Sequence, residues 1–382
     1  MRRRDFLVGV GAALAVPGVG CAGGTSLALK PWSGPAAGER DVRVRALSYA
    51  VLAPNAHNTQ PWSIALSGTD ELALYVDRSR LLPATDPPFR QAHVSQGTFL
   101  ELLVMALGEF GYGADVRLFP DGEYSNTEVE GRPVARVCIT PSTAARDPLF
   151  SRIVTRRSNK QPYDLTRPPT AAQLAAIRAS IGGAEPTLAI LEAPATRAHL
   201  SRLCTEAMAL EVKDRARNVE TAKWFRFSDG EINAKRDGFG LAHNGVTGFR
   251  KWYAETFLLD RDSAADPAGS FASSAVDMSR DQAESAPAFG VLSTRENTRR
   301  VQVLAGRAYA RIALAVEAQG LSMHPMSQAL EEYRDMAPVK TRLEREVALA
   351  PGGTVQMFFR LGYAEPAAHT PRRDVRDMLR PA

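Results

Sequence analysis

The chain has few cysteines and histidines and no long apolar run. Only Cys21, Cys138 and Cys204 occur in 382 residues. Outside the N-terminal stretch that leaves Cys138 and Cys204, enough for one disulfide but not for a disulfide framework. The six histidines are scattered. Neither CxxC nor HExxH occurs, so no metal site is legible. The longest apolar stretches are too short, or too rich in Gly and Ala, to span a bilayer. The net charge of +5 includes the arginines of the extreme N-terminus. What remains forms no basic stripe with interleaved aromatics, which argues against a nucleic-acid partner.

The N-terminus is distinctive. Arg3 and Arg4 precede Asp5, Phe6 and Leu7, an apolar stretch runs from Val8 to Val19, and small residues surround Cys21. A charged start, a short apolar region and small residues describe a signal peptide of the twin-arginine kind. That route carries folded proteins, so a cofactor acquired in the cytoplasm is expected. The expected location is the periplasm or cell envelope, with the twin-arginine export machinery as a partner. Gly18-Val19-Gly20-Cys21 is a partial lipobox, which makes Cys21 a candidate lipid anchor. The signal and linker start occupy 1–30, and 24–40 read as a linker.

About 350 residues follow, enough for a large core or for two similar halves. A helix is expected from Asp41 to Leu52, ended by Ala53-Pro54-Asn55. Trp62–Leu66 and Leu72–Asp77 read as strands paired around the turn Ser67-Gly68-Thr69-Asp70. Residues 83–91 read as a Pro-rich loop. Gly97 to Phe110 is an apolar helix ended by Gly111. Strands follow at Asp115–Phe119 and Val134–Thr140. Ala171–Ser180 and Thr196–Arg217 read as helices, and Thr187–Leu191 and Val355–Leu361 as strands. Val301–Gln319 is a second apolar helix, ended by Gly320. Gly97 and Gly306 share an offset of 209 with Gly111 and Gly320. That spacing suggests an internal duplication, with an N-terminal half over 40–147 and a C-terminal half over 148–382. Residues 218–295 carry only helical fragments and polar loops, and form a candidate lid.

Four segments carry candidate chemistry. Pro54-Asn55-Ala56-His57-Asn58-Thr59-Gln60-Pro61-Trp62 joins a helix to a strand. Its amides could address a flat polar ring, or could satisfy local backbone. Arg156-Arg157-Ser158-Asn159-Lys160 could cradle a phosphate, or could be a solvated basic turn. Thr370-Pro371-Arg372-Arg373 is a second basic group, or a plain basic tail. Ser322-Met323-His324-Pro325-Met326-Ser327 could lay a strand edge against a ring, or could supply core packing.

Together, and in this order, the four segments resemble the FMN-dependent nitroreductase family. The first matches its P-S-x-x-N-x-Q-P-W loop, with Asn55 in place of Ser. The second, followed by Tyr163-Asp164, matches its R-x-S-x-K/R motif. In most members that motif precedes the amide loop. Here it opens the second half, an arrangement similar to the fused, twin-domain (Acg-like) subgroup. Asp77-Arg78-Ser79-Arg80, with Asp86 and Arg90, is similar to that subgroup too.

The resemblance implies an α+β fold of two halves, each a mainly antiparallel sheet with a long central helix, forming a pseudo-dimer within one chain. It implies FMN. Arg156, Ser158, Lys160 and Arg372 or Arg373 would hold the phosphate. Pro54, Asn55, Ala56 and Asn58 would lie along the ring, and Met323, His324, Pro325, Met326 and Ser327 would face its other side. It implies an oxidoreductase passing hydride through flavin N5 to a small-molecule acceptor, nitro, quinone or similar. The alternative is a protein that stores FMN beneath a lid, with Trp224, Phe225 and Phe227 as the candidate cover. His57 and His324 are candidates for moving a proton or for packing.

Overall fold

The computed structural model describes residues 26–183, 185–247, 251, 260–349 and 351–380. The arginine pair, the apolar stretch and Cys21 lie outside them. The chain builds two four-stranded antiparallel sheets with one topology. The first contains β1 (Trp62–Ser67), β2 (Glu71–Val76), β3 (Tyr112–Leu118) and β4 (Ala135–Pro141), in the order β1-β2-β4-β3. The second contains β5 (Thr187–Leu191), β6 (Ala288–Thr294), β7 (Ser322–Pro325) and β8 (Thr354–Gly362), in the order β5-β6-β8-β7. The fold is α+β and consists of two halves. β6 and β7 carry no clear strand signal in the sequence, β6 because it lacks apolar–polar alternation and β7 because it is four residues long and ends in Pro.

Local chemistry sets the element boundaries. α1 (Val42–Ala50) is capped by the Asp41 carboxylate, which accepts from the Arg43 amide. Gly68 takes φ 51° in the β1–β2 turn, a conformation that suits a residue without a β-carbon. α2 (Arg90–Glu109) follows the first hairpin. In the second half come α3 (Ala171–Ala179), α4 (Pro194–Glu211), α5 (Arg215–Trp224), α6 (Ser270–Glu284) and α7 (Arg299–Ala318). The expected Thr196–Arg217 helix therefore ends at Glu211, and α5 starts afresh where Asp214 caps it by accepting from two backbone amides.

The central helices α2 and α7 are both 20 residues long and repeat at the same offset of 209. α2 begins at Arg90, seven residues before the expected start at Gly97, and α7 at Arg299, two before the expected start at Val301. Gly97 and Gly306 instead lie at the helix crossing. A β-carbon on Gly97 would overlap the Val303 carbonyl oxygen and sit 2.9 Å from both Gly306 Cα and Arg307 N. A β-carbon on Gly306 would overlap the Val94 carbonyl oxygen. The contacts are reciprocal, as a pseudo-twofold axis between the halves requires.

The halves interpenetrate around this crossing. Val303, Ala310 and Leu314 of α7 enter the first half's core, and Val94 of α2 enters the second's. Buried Arg90 donates to the Gln356 and Leu330 carbonyls across the interface. Arg299, its counterpart, donates to the Ser125 and Glu128 carbonyls in the other direction. The tail also crosses over. Val375 and Met378 join the first half's core, and Leu379 bridges to Ile64 on β1.

One asymmetry positions the site. The first half joins its leading strands by the tight turn after Ser67. The second half places residues 192–287 between β5 and β6. Cys138 on β4 is exposed, Cys204 on α4 is buried, and both thiols are free. Among the described residues no helix is long and apolar enough to cross a membrane.

Gly97→Ala or Gly306→Ala should cost about 3 kcal/mol, the upper end of over-packing penalties, because backbone rather than a side chain blocks the methyl group. Gly108→Ala has nothing within 4 Å of the added carbon, and should gain about 0.5–1 kcal/mol from lost unfolded-state freedom. Denaturant midpoints of the three variants check both signs.

Candidate functional site

A cavity of about 280 Å³ lies where the two halves, the 192–287 insertion, the N-terminal segment and the tail meet. Twelve of the expected residues line it: Pro54, Asn55, Ala56, Asn58, Arg156, Ser158, Lys160, His324, Pro325, Met326, Ser327 and Arg372. Ser158 is bridged in parallel to Met323 at the edge of β7, and the Asn159 amide donates to the Met323 carbonyl at 2.9 Å. That pairing carries the basic segment alongside the strand and delivers both to one cavity.

Two expected residues do not line it. Met323 turns into the second half's core, because a strand sends alternate side chains to opposite faces. Arg373 points at the amide loop instead. Its backbone N–H donates to Gln60 Oε1 at 2.8 Å and its guanidinium to the Gln60 carbonyl at 2.7 Å. Of the two tail arginines, only Arg372 reaches the cavity.

The amides of the loop are spent on the protein. Asn58 Nδ2 donates to the Gly238 and Pro371 carbonyls, and its Oδ1 accepts from Arg372. Asn55 Oδ1 accepts from the Gln60 amide and Asn55 Nδ2 donates to the Ala53 carbonyl. These bonds hold His57, Asn58 and Gln60 at positive φ, 49°, 52° and 54°. Such angles are costly for residues with side chains and persist only where neighbours enforce them. The loop therefore presents backbone and a proline edge to the cavity, while its amides tie together the first half, the insertion and the tail.

Positive groups gather at one end of the cavity, around Arg156, Arg157 and Arg372. Arg156 is 4% exposed and Arg372 2%. Among the described residues neither of them, nor Arg157 or Lys160, forms an ion pair with a carboxylate. Arg156 donates to the Leu52 carbonyl at 3.0 Å, but the buried Nε atoms of Arg156, Arg157 and Arg372 have no partner. Burial pushes Arg156 down to about 10. Burial, then the Arg156 charge, holds Arg372 well below its ordinary value. Lys160 is pushed down to about 8 by burial and by Arg360. Its Nζ donates to Asn244 Oδ1 at 2.9 Å and lies 4.8 Å from the Phe239 ring centre. Buried cations without counter-charge are unfavourable, and a multivalent anion with several acceptor oxygens would relieve all of them.

His57 and His324 are both held toward the neutral form. Burial and Lys160 push His57 down to about 4. Burial, Arg360 and Lys160 hold His324 far below its ordinary value, and its Nδ1 accepts from Arg360 Nε at 3.2 Å.

The insertion supplies the wall facing the loop. Phe239, Phe271, Met278 and Asn218 line the cavity. Trp224, Phe225 and Phe227, the expected cover, do not. Phe225 packs edge-on against Phe227, Phe239 and Phe271, so these rings back the wall from behind. Trp32 and Glu211 also line the cavity, and neither was expected there. Trp32 lies in the stretch read as a linker, where a lone tryptophan after Pro31 was the available signal. Glu211 is 8% exposed, and burial pushes its carboxyl up to about 7. Among the described residues no metal-binding cluster forms.

No protein-family model matches the chain. In sequence it is 27% identical over 342 residues to the "Putative NAD(P)H nitroreductase Rv3131" of Mycobacterium tuberculosis, covering 87% of this chain and 89% of that protein. It is 26% identical over 338 residues to the "Probable NAD(P)H nitroreductase PigM" of a Serratia strain, covering 86% and 90%. The solved structure of "a putative nitroreductase" from Anabaena variabilis matches with a TM-score of 0.40 and 11% identity, over 92% of this chain and 94% of that one. The chain is thus similar over most of its length to proteins named as NAD(P)H nitroreductases, and its own fold is two halves of one strand order with a cavity between them.

Because the folded-state pKa of Glu211 is raised, its ionisation above the unfolded value near 4.5 favours the unfolded chain. The penalty grows until the folded carboxyl also ionises near pH 7, then stays constant. Glu211→Gln should therefore raise the melting temperature progressively more between pH 4.5 and 7, with a flat gain above. A pH series of thermal melts reads this directly.

Proposed function

We propose that this protein is an exported FMN-binding oxidoreductase that reduces nitro, quinone or similar electron-poor acceptors. One observation carries the reading: buried Arg156 and Arg372 and half-buried Arg157 form no ion pair among the described residues, and their Nε atoms lack partners beside the cavity. That donor set fits a phosphate monoester, the feature that separates FMN from a neutral flavin. Homologues over most of the chain carry nitroreductase names, which is consistent with it.

Arg156, Ser158, Lys160 and Arg372 would hold the phosphate and adjoining oxygens. The Pro54–Asn58 backbone would flank one side of the ring, and His324 to Ser327 the other. Bound there, the flavin would supply the redox chemistry. The chain's own part is to orient and to exclude water. Phe239, Phe271 and Met278 form a desolvated wall against which a flat acceptor could lie. Arg373 and Asn58 keep the loop in its strained shape. With His57 and His324 neutral, neither is an imidazolium donor at pH 7.

A second reading has its own support. The wall belongs to an insertion that the first half lacks, and a wall lying over the ring would leave a nicotinamide donor no face to stack on. Export to a compartment poor in such donors points the same way. Both features favour a protein that stores FMN.

Purified protein should be yellow, with about one FMN per chain. Combined Arg156→Ala and Ser158→Ala should weaken FMN at least about 100-fold, since charge-assisted bonds to a buried anion contribute several kcal/mol. Unchanged affinity would place the phosphate elsewhere. Anaerobic reduction followed by a quinone or nitroaromatic separates the two readings: rapid reoxidation supports the enzyme, and an inert reduced flavin supports storage.

A further inference from the structure

The segment Ser26–Gly34 packs as part of the cavity wall. It forms a short 3₁₀ turn over Lys30–Ser33. Trp32 is buried and lines the cavity. Its indole N–H donates to the Thr370 carbonyl at 2.8 Å, and its ring stacks on His369 at 4.1 Å between centres and 9° between planes. The Arg372 guanidinium lies 5.2 Å from the same ring. The Arg372 amide donates to the carbonyl of fully buried Ala28 at 2.8 Å. Ser26 hydrogen-bonds Asn233 of the insertion. The segment thus grips both residues flanking Pro371 and touches the insertion, the two parts that close the site.

We propose that Ser26–Gly34 is a strap over the phosphate end of the cavity, and that its docking and cofactor occupancy are thermodynamically coupled. This rests on the FMN reading above. The physical reason is shared structure. Arg372 cannot be placed against a phosphate unless the tail is seated, and the tail is seated by Trp32 and Ala28. Conversely, an anion on Arg372 offsets the cost of burying that guanidinium and so favours the docked strap. The coupling is reciprocal: whatever the strap adds to cofactor affinity, the cofactor adds to strap docking.

Two measurements test the strap on the full-length protein. In the parent, added FMN should slow backbone hydrogen exchange preferentially at residues 28–34 and at Arg372, beyond any general slowing of the fold. Trp32→Ala should release FMN about tenfold faster, with Trp32→Phe, which keeps the stacking on His369, closer to the parent. The exchange arm needs no variant, so it decides the matter even if Trp32→Ala misfolds. Uniform protection, or an unchanged release rate in folded Trp32→Ala, overturns the coupling. A parent that binds no FMN overturns the flavin reading instead, so the two failures are distinguishable.

Discussion

Everything in this molecule depends on the contact between Gly97 and Gly306. Two twenty-residue helices can cross with their backbones touching only where neither carries a β-carbon, and the chain provides that condition twice at one offset. The close approach lets each helix enter the other half's core and lets Arg90 and Arg299 reach carbonyls in the opposite half. Two sheets of identical strand order are thereby locked into one body, and the groove between them becomes the cavity. A pair of halves held by side chains alone would stand further apart and leave the loop and the basic segment without a common floor.

The second organising constraint is electrostatic. Desolvating guanidinium groups is expensive, and the chain does so at Arg156 and Arg372 without supplying carboxylates to offset it. The rest of the site accommodates that cost. The loop at Asn58 accepts from Arg372 while holding a left-handed backbone, and Arg373 clamps Gln60 from behind. The tail, the insertion and the N-terminal segment all converge on the same few residues. Stability and ligand affinity are therefore not separate properties here, because the groups that would bind an anion are the groups whose burial the fold must tolerate.

The difference between the halves is as informative as their likeness. At one position the first half has a tight turn carrying Gly68, whereas the second half has residues 192–287. Inserting a long segment at a hairpin tip leaves the strand ladder intact, which is why the duplication survives it. Its consequence is functional: one side of the groove gains an aromatic wall.

Periodicity and capping residues made the first sheet, both central helices and Thr187–Leu191 legible, because local spacing and Gly-terminated ends are local properties. The grouping of Pro54, Arg156, His324 and Arg372 near one ligand followed from their likeness to known motifs, and the cavity does bring these four together. Side-chain direction was not legible. Met323 faces the core and Arg373 faces Gln60 because strand alternation and tail path set them, and adjacent residues of one motif diverge. Trp32 and Glu211 were missed for a related reason, since nothing near either residue in the chain indicates what packs against it. Trp224, Phe225 and Phe227 are the candidate cover in the sequence, yet Phe239 and Phe271 occupy the wall, with Phe225 packed on both of them and on Phe227. The amino-acid sequence by itself thus determined which segments form helices and strands, where the duplication lies, and which residue types could meet an anion. Only the tertiary structure decided which of those residues share a cavity and which spend their polar groups on the protein, because that choice depends on contacts between segments more than 100 residues apart.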